Sequence, residues 1–183
     1  MRELSLHLLD IVENSIAAQA RTVEIAIRED NRLDRLHLCV RDDGTGMDEA
    51  TVAAVVDPFV TSRTTRKVGL GIPLLKAAAE ACDGALQLHS TVGEGTVLEV
   101  EFQLSHIDRM PLGDIASTML NLVIAKPDIH FIFRYQVDDR AYVFDDGLVK
   151  QELDGIPLSD PTIISYLREE LEYGIQALHA ELV

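Results

Sequence analysis

Residues 69–102 read GLGIPLLKAAAEACDGALQLHSTVGEGTVLEVEF. Their first part, Gly71–Cys82, carries apolar residues at helical spacing, admits Pro73 in the first turn, and stops at Gly84. Ala85–Thr91 and Thr96–Leu104 then alternate apolar and polar positions, the period of strands with one buried face. Gly93-Glu94-Gly95 joins them as a tight turn. A helix followed by an antiparallel hairpin is therefore predicted, with a glycine-rich entry to the helix.

The same periods extend toward the N-terminus. Residues 57–70, DPFVTSRTTRKVGL, show no period and read as a long loop. Asp48–Val56 reads as a short helix with carboxylates in its first turn. Asp42–Met47 is a glycine-rich turn, and 22–41 reads as a hairpin with Val23, Ile25, Ile27, Leu36, Leu38 and Val40 on one side. Residues 4–19 read as a helix whose apolar face is Leu4, Leu8, Ile11, Val12, Ser15 and Ile16, with His7, Asp10 and Asn14 on another stripe.

Toward the C-terminus the pattern changes near Ser105–Pro111. A helix is predicted over 112–124, strands over 129–137 and 140–145, and helices from about residue 146 and over 160–181. Five of the nine aromatic residues, Phe131, Phe133, Tyr135, Tyr142 and Phe144, fall in that second hairpin. Runs of helices with mostly antiparallel strands argue an α+β fold, a two-layer α/β sandwich. Two regions are expected, 1–105 and a C-terminal α/β extension over 106–183.

Composition narrows the function. Lys and Arg total 16 against 31 Asp and Glu, a net charge of −15 over 183 residues. That balance opposes nucleic-acid binding, which rests on Lys and Arg neutralising phosphates, and it disfavours anionic membrane surfaces. An apolar content of 47% suffices for a real core. Cys39 and Cys82 cannot build a disulfide framework and read as reduced thiols. No apolar run is long enough for a membrane span and the N-terminus lacks a signal-peptide pattern, so a cytoplasmic protein is expected.

Four segments carry chemistry. In Asp10-Ile-Val-Glu-Asn14, positions i and i+4 address one ligand; an amide oxygen suits Mg²⁺, and a carboxylate can hold or deprotonate a water. In Val40-Arg-Asp42-Asp43-Gly44-Thr45-Gly46-Met47, a carboxylate at a strand end can accept from an exocyclic amine such as adenine N6, while the glycines permit close backbone approach. Phe59-Val-Thr-Ser-Arg63, with Arg66 and Lys67-Val-Gly69-Leu70-Gly71, sets three cations beside a glycine-rich helix start, where backbone N–H groups bind phosphate. The fourth segment is Gly93-Glu-Gly95-Thr96. Each has an ordinary reading alone: a solvated helix face, an Asp-Gly turn, a basic loop, a hairpin turn. Glu13 lies about 100° round the helix from Asn14 and reads as solvent-facing, and His7 reads as a structural polar residue rather than a phospho-acceptor.

In their order and spacing these segments resemble the N, G1, F, G2 and G3 boxes of the GHKL ATPase superfamily, which includes histidine-kinase catalytic domains, the gyrase B subunit and mismatch-repair ATPases. The resemblance covers about residues 4–104. It implies the histidine-kinase-like ATPase (Bergerat) sandwich, with ATP held between the helical layer and a lid. By position it implies that Asn14 coordinates Mg²⁺, that Asp42 accepts the adenine N6–H bond with Thr96 supporting that edge, and that Gly44, Gly46 and Met47 lie against the base. It likewise assigns Lys67, Gly69, Leu70 and Gly71 to the phosphates, joined by Arg63 of the basic loop, and gives Asp10 the place of the catalytic base.

Three positions depart from the pattern. Asp10 stands where hydrolysing members carry Glu. Lys67 replaces the first glycine of the usual G-x-G-x-G. The strand that ordinarily precedes the first helix is missing, so the sheet is expected to be smaller at that edge. Two activities are expected. In the first, the protein passes the γ-phosphoryl group of ATP to a protein residue; Met1 lies 13 residues before Asn14, so the acceptor is expected on another chain. In the second, ATP orders the lid and the chain acts as a switch or slow ATPase that binds a partner or pairs as a homodimer.

Overall fold

The computed structural model describes residues 3–57, 71–153 and 155–180. Strands and helices appear where the two periods place them. In order they are α1 (Leu4–Ala17), β1 (Thr22–Asp30), β2 (Arg35–Asp42), α2 (Glu49–Val56) and α3 (Gly71–Glu80). Then come β3 (Ala85–Thr91), β4 (Gly95–Gln103), α4 (Ile115–Ala125), β5 (His130–Val137), β6 (Arg140–Asp145), α5 (Asp146–Glu152) and α6 (Pro161–His179).

The strands form one six-stranded sheet in the order β3-β4-β2-β1-β5-β6. Alternation buries one face only. Val23, Ile25, Ile27, Leu36, Leu38, Val40, Leu98, Val100 and Phe102 are buried, while their sequence neighbours Arg28, Arg41 and Glu99 face outward. The helices cover the buried face. Leu4, Leu8, Ile11 and Val12 of α1, Ile72, Leu75 and Ala79 of α3, and Met119, Leu120 and Val123 of α4 join one continuous core. This is the two-layer α+β sandwich expected from the sequence.

The edge beside β1 differs from expectation. Instead of a smaller sheet, β5 of the C-terminal extension lies there, parallel to β1, with Thr22 opposite His130 and Glu29 opposite Val137. β6 then closes a hairpin with β5. Phe131, Phe133 and Phe144 lie in the same core as α1 and β1. The extension also serves α1 directly. Glu3 caps that helix without a side-chain hydrogen bond, and the amides of Leu4 and Ser5 donate to the carbonyls of Pro111 and Leu112 at 2.9 and 2.8 Å. The helix that carries Asp10 and Asn14 is thus held at its start by backbone from residues 111–112.

Candidate nucleotide site

The site lies at one end of the sheet, where β2 leaves the core and α1 crosses it. Pairing sets Asp42, the last residue of β2, opposite Val23 and opposite Thr96. Asp42 is buried, 8% exposed. One carboxylate oxygen, Oδ1, accepts from the Gly44 amide at 2.9 Å; the other, Oδ2, accepts from the Ser15 hydroxyl at 2.7 Å. Ser15, also buried, follows Asn14 on α1. A carboxylate taken out of water needs such donors to offset its lost hydration and to fix its orientation. Each oxygen retains a lone pair, so the group can still accept from a ligand.

The turn after Asp42 is fixed at several points. Thr45 donates its amide to the Ala18 carbonyl at 2.8 Å, and Gly93 donates to the Thr45 carbonyl at 2.8 Å. Gly46 has φ +64°, and a Cβ there would lie 1.9 Å from the Thr91 carbonyl oxygen. Gly95 has φ +116°, and a Cβ there would lie 2.0 Å from the Asp42 carbonyl oxygen. These two glycines let the turn and the β3–β4 hairpin touch through their backbones. Asp43 ties the start of β1 to the same turn, its Oδ1 accepting from the amides of Arg21 and Thr22 at 2.7 and 2.8 Å. Desolvation pushes its pKa up, but those backbone donors outweigh it and hold the carboxyl below the usual range.

Ser90 completes this end. Its hydroxyl accepts from the Met47 amide at 2.8 Å, donates to the Gly95 carbonyl at 2.9 Å, and lies 2.9 Å from the Thr96 hydroxyl. Since Ser90 has one proton, a consistent pattern has Thr96 donating to it. Met47 is half-buried against the core and Gly44 is buried. The structure therefore gathers Asp42, Gly44, Gly46, Met47 and Thr96 in one place.

The other end lies along α1 and the start of α3. Asn14 is exposed on α1, one turn after the half-buried Asp10. Asp10 faces the start of α3: a Cβ added to Gly71 would meet its Oδ2 at 3.1 Å. Gly71, Asp10 and Asn14 thus border one region, an amide oxygen and a carboxylate beside a helix N-terminus. That donor set suits a hard divalent cation bound to phosphates. Arg63, Lys67, Gly69 and Leu70, expected on the phosphates, lie outside the described residues.

Sequence reading misses the roles of Ser15 and Ser90. Ser15 falls on the apolar face of its helix, and nothing local marks a strand serine as a hub. In the sequence Asp128, His130 and Asp145-Asp146 lack convincing metal spacing, yet among the described residues His130, Asp145 and Asp146 offer ligand atoms within 4.8 Å of one another. His130 Nε2 lies 2.6 Å from Asp145 Oδ1, and Asp146, fully buried, sets its Oδ2 2.7 Å from the Lys150 ammonium. Desolvation pushes the Asp146 pKa up, while Lys150 supplies the cation that its carboxylate needs.

The histidine kinase-, DNA gyrase B-, and HSP90-like ATPase family model matches residues 2–106. The chain belongs to that family. Among curated proteins, it is 44% identical over 88 residues to "Sensor protein kinase FleS" of Pseudomonas aeruginosa, a match covering 48% of this chain and 22% of that protein. It is 33% identical over 111 residues to "Non-motile and phage-resistance protein" of Caulobacter vibrioides, covering 56% of this chain and 13% of that one. Those shares mean that the chain spans less than a quarter of either relative's length. Among solved structures, the Aquifex aeolicus MutL ATPase domain complexed with ADP superposes with a TM-score of 0.52 at 14% identity, covering 94% of this chain and 70% of that one. The kinase relatives and the family match support a nucleotide-binding, kinase-like ATPase domain, and the MutL likeness supports the fold. Among the described residues, no helix is long and apolar enough to cross a membrane.

Proposed function

We propose that the protein binds Mg²⁺-ATP and transfers its γ-phosphoryl group to a residue of a partner protein. The single observation that carries the nucleotide half is the buried Asp42 carboxylate, fixed by Ser15 and the Gly44 amide where β2 ends. Such an acceptor selects an exocyclic amine and excludes a keto oxygen at the same place. Adenine meets that requirement and guanine, at that edge, does not. When bound, Mg²⁺ supplies charge neutralisation of the phosphates. Asn14 is the residue that holds it, Gly71 presents the first turn of α3 toward the phosphates, and Asp10 stands beside that turn as base or water ligand.

Phosphoryl transfer demands positioning and charge neutralisation more than covalent chemistry by the protein. A shortened carboxylate at Asp10 therefore harms hydrolysis more than transfer, and this favours the kinase reading over a hydrolytic one. The switch reading keeps the same site without transfer. Incubation with γ-labelled ATP separates the two: label on a protein of the extract, or on this chain, supports transfer. Free phosphate alone, released slowly, supports the switch. Titration calorimetry with ATP and GTP tests the nucleotide half independently, and equal binding of GTP removes Asp42 from base recognition.

A further inference from the structure

Strand β1 breaks its own pattern at one position. Val23, Ile25 and Ile27 face the core, and the next residue on that side is Glu29, a half-buried carboxylate where the period calls for an apolar side chain. On the neighbouring strand β5, the buried Tyr135, 2% exposed, donates its hydroxyl proton to Glu29 Oε1. With that proton committed, the 3.3 Å contact between the Tyr135 oxygen and His179 Nε2 has the imidazole donating. Burial, and after it the Glu29 carboxylate, push the Tyr135 pKa up, which keeps the phenol a donor.

Glu29 and Tyr135 form one wall of a cavity of about 330 Å³. The start of α4 and the last turns of α6 supply the rest. Leu112, Ile115 and Ile175 give an apolar lining, and the exposed Asp114 and Glu172 add two carboxylates. A largely apolar cavity of about 300 Å³ or more with a few placed polar groups has the make-up of a small-ligand site. Its sign is negative: three carboxylates face one imidazole, and among the described residues none of the three forms an ion pair. Arg109, whose charge reaches Tyr135, is committed to the carbonyls of Leu104 and Met110 at 2.7 and 3.0 Å. The start of α4 does not reverse the sign, because Asp114 caps it through Ser117. A half-buried carboxylate held by one hydroxyl and lacking a counter-charge favours a cation beside it.

We propose that this cavity binds an aliphatic amine, its ammonium group on Glu29 and its methylenes along Leu112, Ile115 and Ile175. The cavity shares no residue with the nucleotide site, and the proposal stands apart from the function proposed above. The amine is either a free small molecule or a lysine side chain of a partner; the chemistry recognised is the same.

Calorimetry on the full chain tests it, with the diamine cadaverine, the neutral pentanediol, the dianion glutarate and a blocked lysine tripeptide as probes. Cadaverine is expected to bind at least about tenfold tighter than pentanediol, since the diol lacks the charge-assisted bond. Its binding should weaken in about 0.5 M salt, because the rim carboxylates are exposed. Binding of the tripeptide points to a partner's lysine, and binding of cadaverine alone to a free amine; both support the cavity. Glu29→Gln keeps an acceptor oxygen for Tyr135 and should weaken the amine about tenfold. Ala116→Leu, on the cavity wall, fills the space without touching a charge and should abolish binding. Urea midpoints report whether each variant folds. No binding of either amine, pentanediol or glutarate bound as tightly as cadaverine, or a folded Glu29→Gln or Ala116→Leu that binds as the wild type does, overturns the proposal. If Glu29→Gln does not fold, Ala116→Leu decides alone.

Discussion

The two ends of the site are built differently. At the proposed adenine end, Ser15 and Gly44 bond to Asp42, Met47 and Thr96 bond to Ser90, and the pairing of Asp42 with Thr96 joins the two groups across α1, β2, β3 and β4. At the proposed phosphate end, Asn14 is exposed, Asp10 is half-buried, and Asp10 faces the bare backbone of Gly71 at the start of α3. A pre-organised base pocket reads identity, because wrong bases leave buried groups unpaired.

The largest expected effect comes from breaking the base end. Asp42→Ala strips the Ser15 hydroxyl and the Gly44 amide of their acceptor, at about 1–3 kcal/mol for each buried donor left unpaired. Urea denaturation should show that loss, and calorimetry should detect no ATP binding. Asp42→Asn keeps one acceptor oxygen and should cost about 1–3 kcal/mol of ATP affinity by removing the charge from the bond. If Asp42→Asn binds ATP as wild type does, the base end has been misplaced.

The next effect tests the phosphate end as a rate device. A general base must reach its water, and Asp10 falls short of a glutamate by one methylene. A misplacement of about 1 Å can cost on the order of 100-fold in rate. Intrinsic hydrolysis should therefore be very slow, and Asp10→Glu should raise it by up to about 100-fold while Asp10→Ala leaves ATP affinity nearly unaltered. Brisk wild-type turnover untouched by Asp10→Ala would place the base elsewhere, with Glu13 the next residue to try. Asn14→Ala should act on binding alone: ATP affinity loses its Mg²⁺ dependence, and stability moves by no more than about 0.5 kcal/mol, because the side chain is exposed.

The sequence foretells these ends unequally, and the reasons are physical. Element positions follow from short periods, so α1, β1, β2, α3, β3 and β4 are readable within a residue or two. Asp42 and its glycines are readable because a carboxylate beside φ-permissive residues has local meaning. Contacts between distant segments leave no such trace. The parallel pairing of Thr22–Glu29 with His130–Val137 joins segments more than a hundred residues apart, and strand alternation does not say which partner is chosen. The meeting of His130 with Asp145 and Asp146 follows from that pairing and is hidden with it.

The smallest effect is also the sharpest probe of the base end, and it concerns Ser15. The residue is buried, its hydroxyl donates to Asp42 Oδ2 at 2.7 Å, and its backbone follows that of Asn14. It therefore links the proposed base-recognising carboxylate to the helix that carries the proposed metal ligand, Asn14. Ser15→Ala removes one hydrogen bond to a charged acceptor, worth about 1.5–3 kcal/mol in general. The hydroxyl's other contact, to the Ile11 carbonyl at 3.4 Å, is too long to add much. Part of the loss is recovered because alanine suits a helix better than serine by a few tenths of a kcal/mol. A net loss of about 1 kcal/mol in stability is expected, read from the urea midpoint, with ATP affinity falling about fivefold and the preference over GTP reduced but kept. The Gly44 amide still holds the other carboxylate oxygen, and this is why the pocket survives. If Ser15→Ala changes ATP and GTP binding in equal proportion, the serine supports the fold and not the base. If it leaves ATP affinity unchanged while stability falls, Asp42 is held well enough by the Gly44 amide alone, and the base end is less tightly built than its hydrogen bonds indicate.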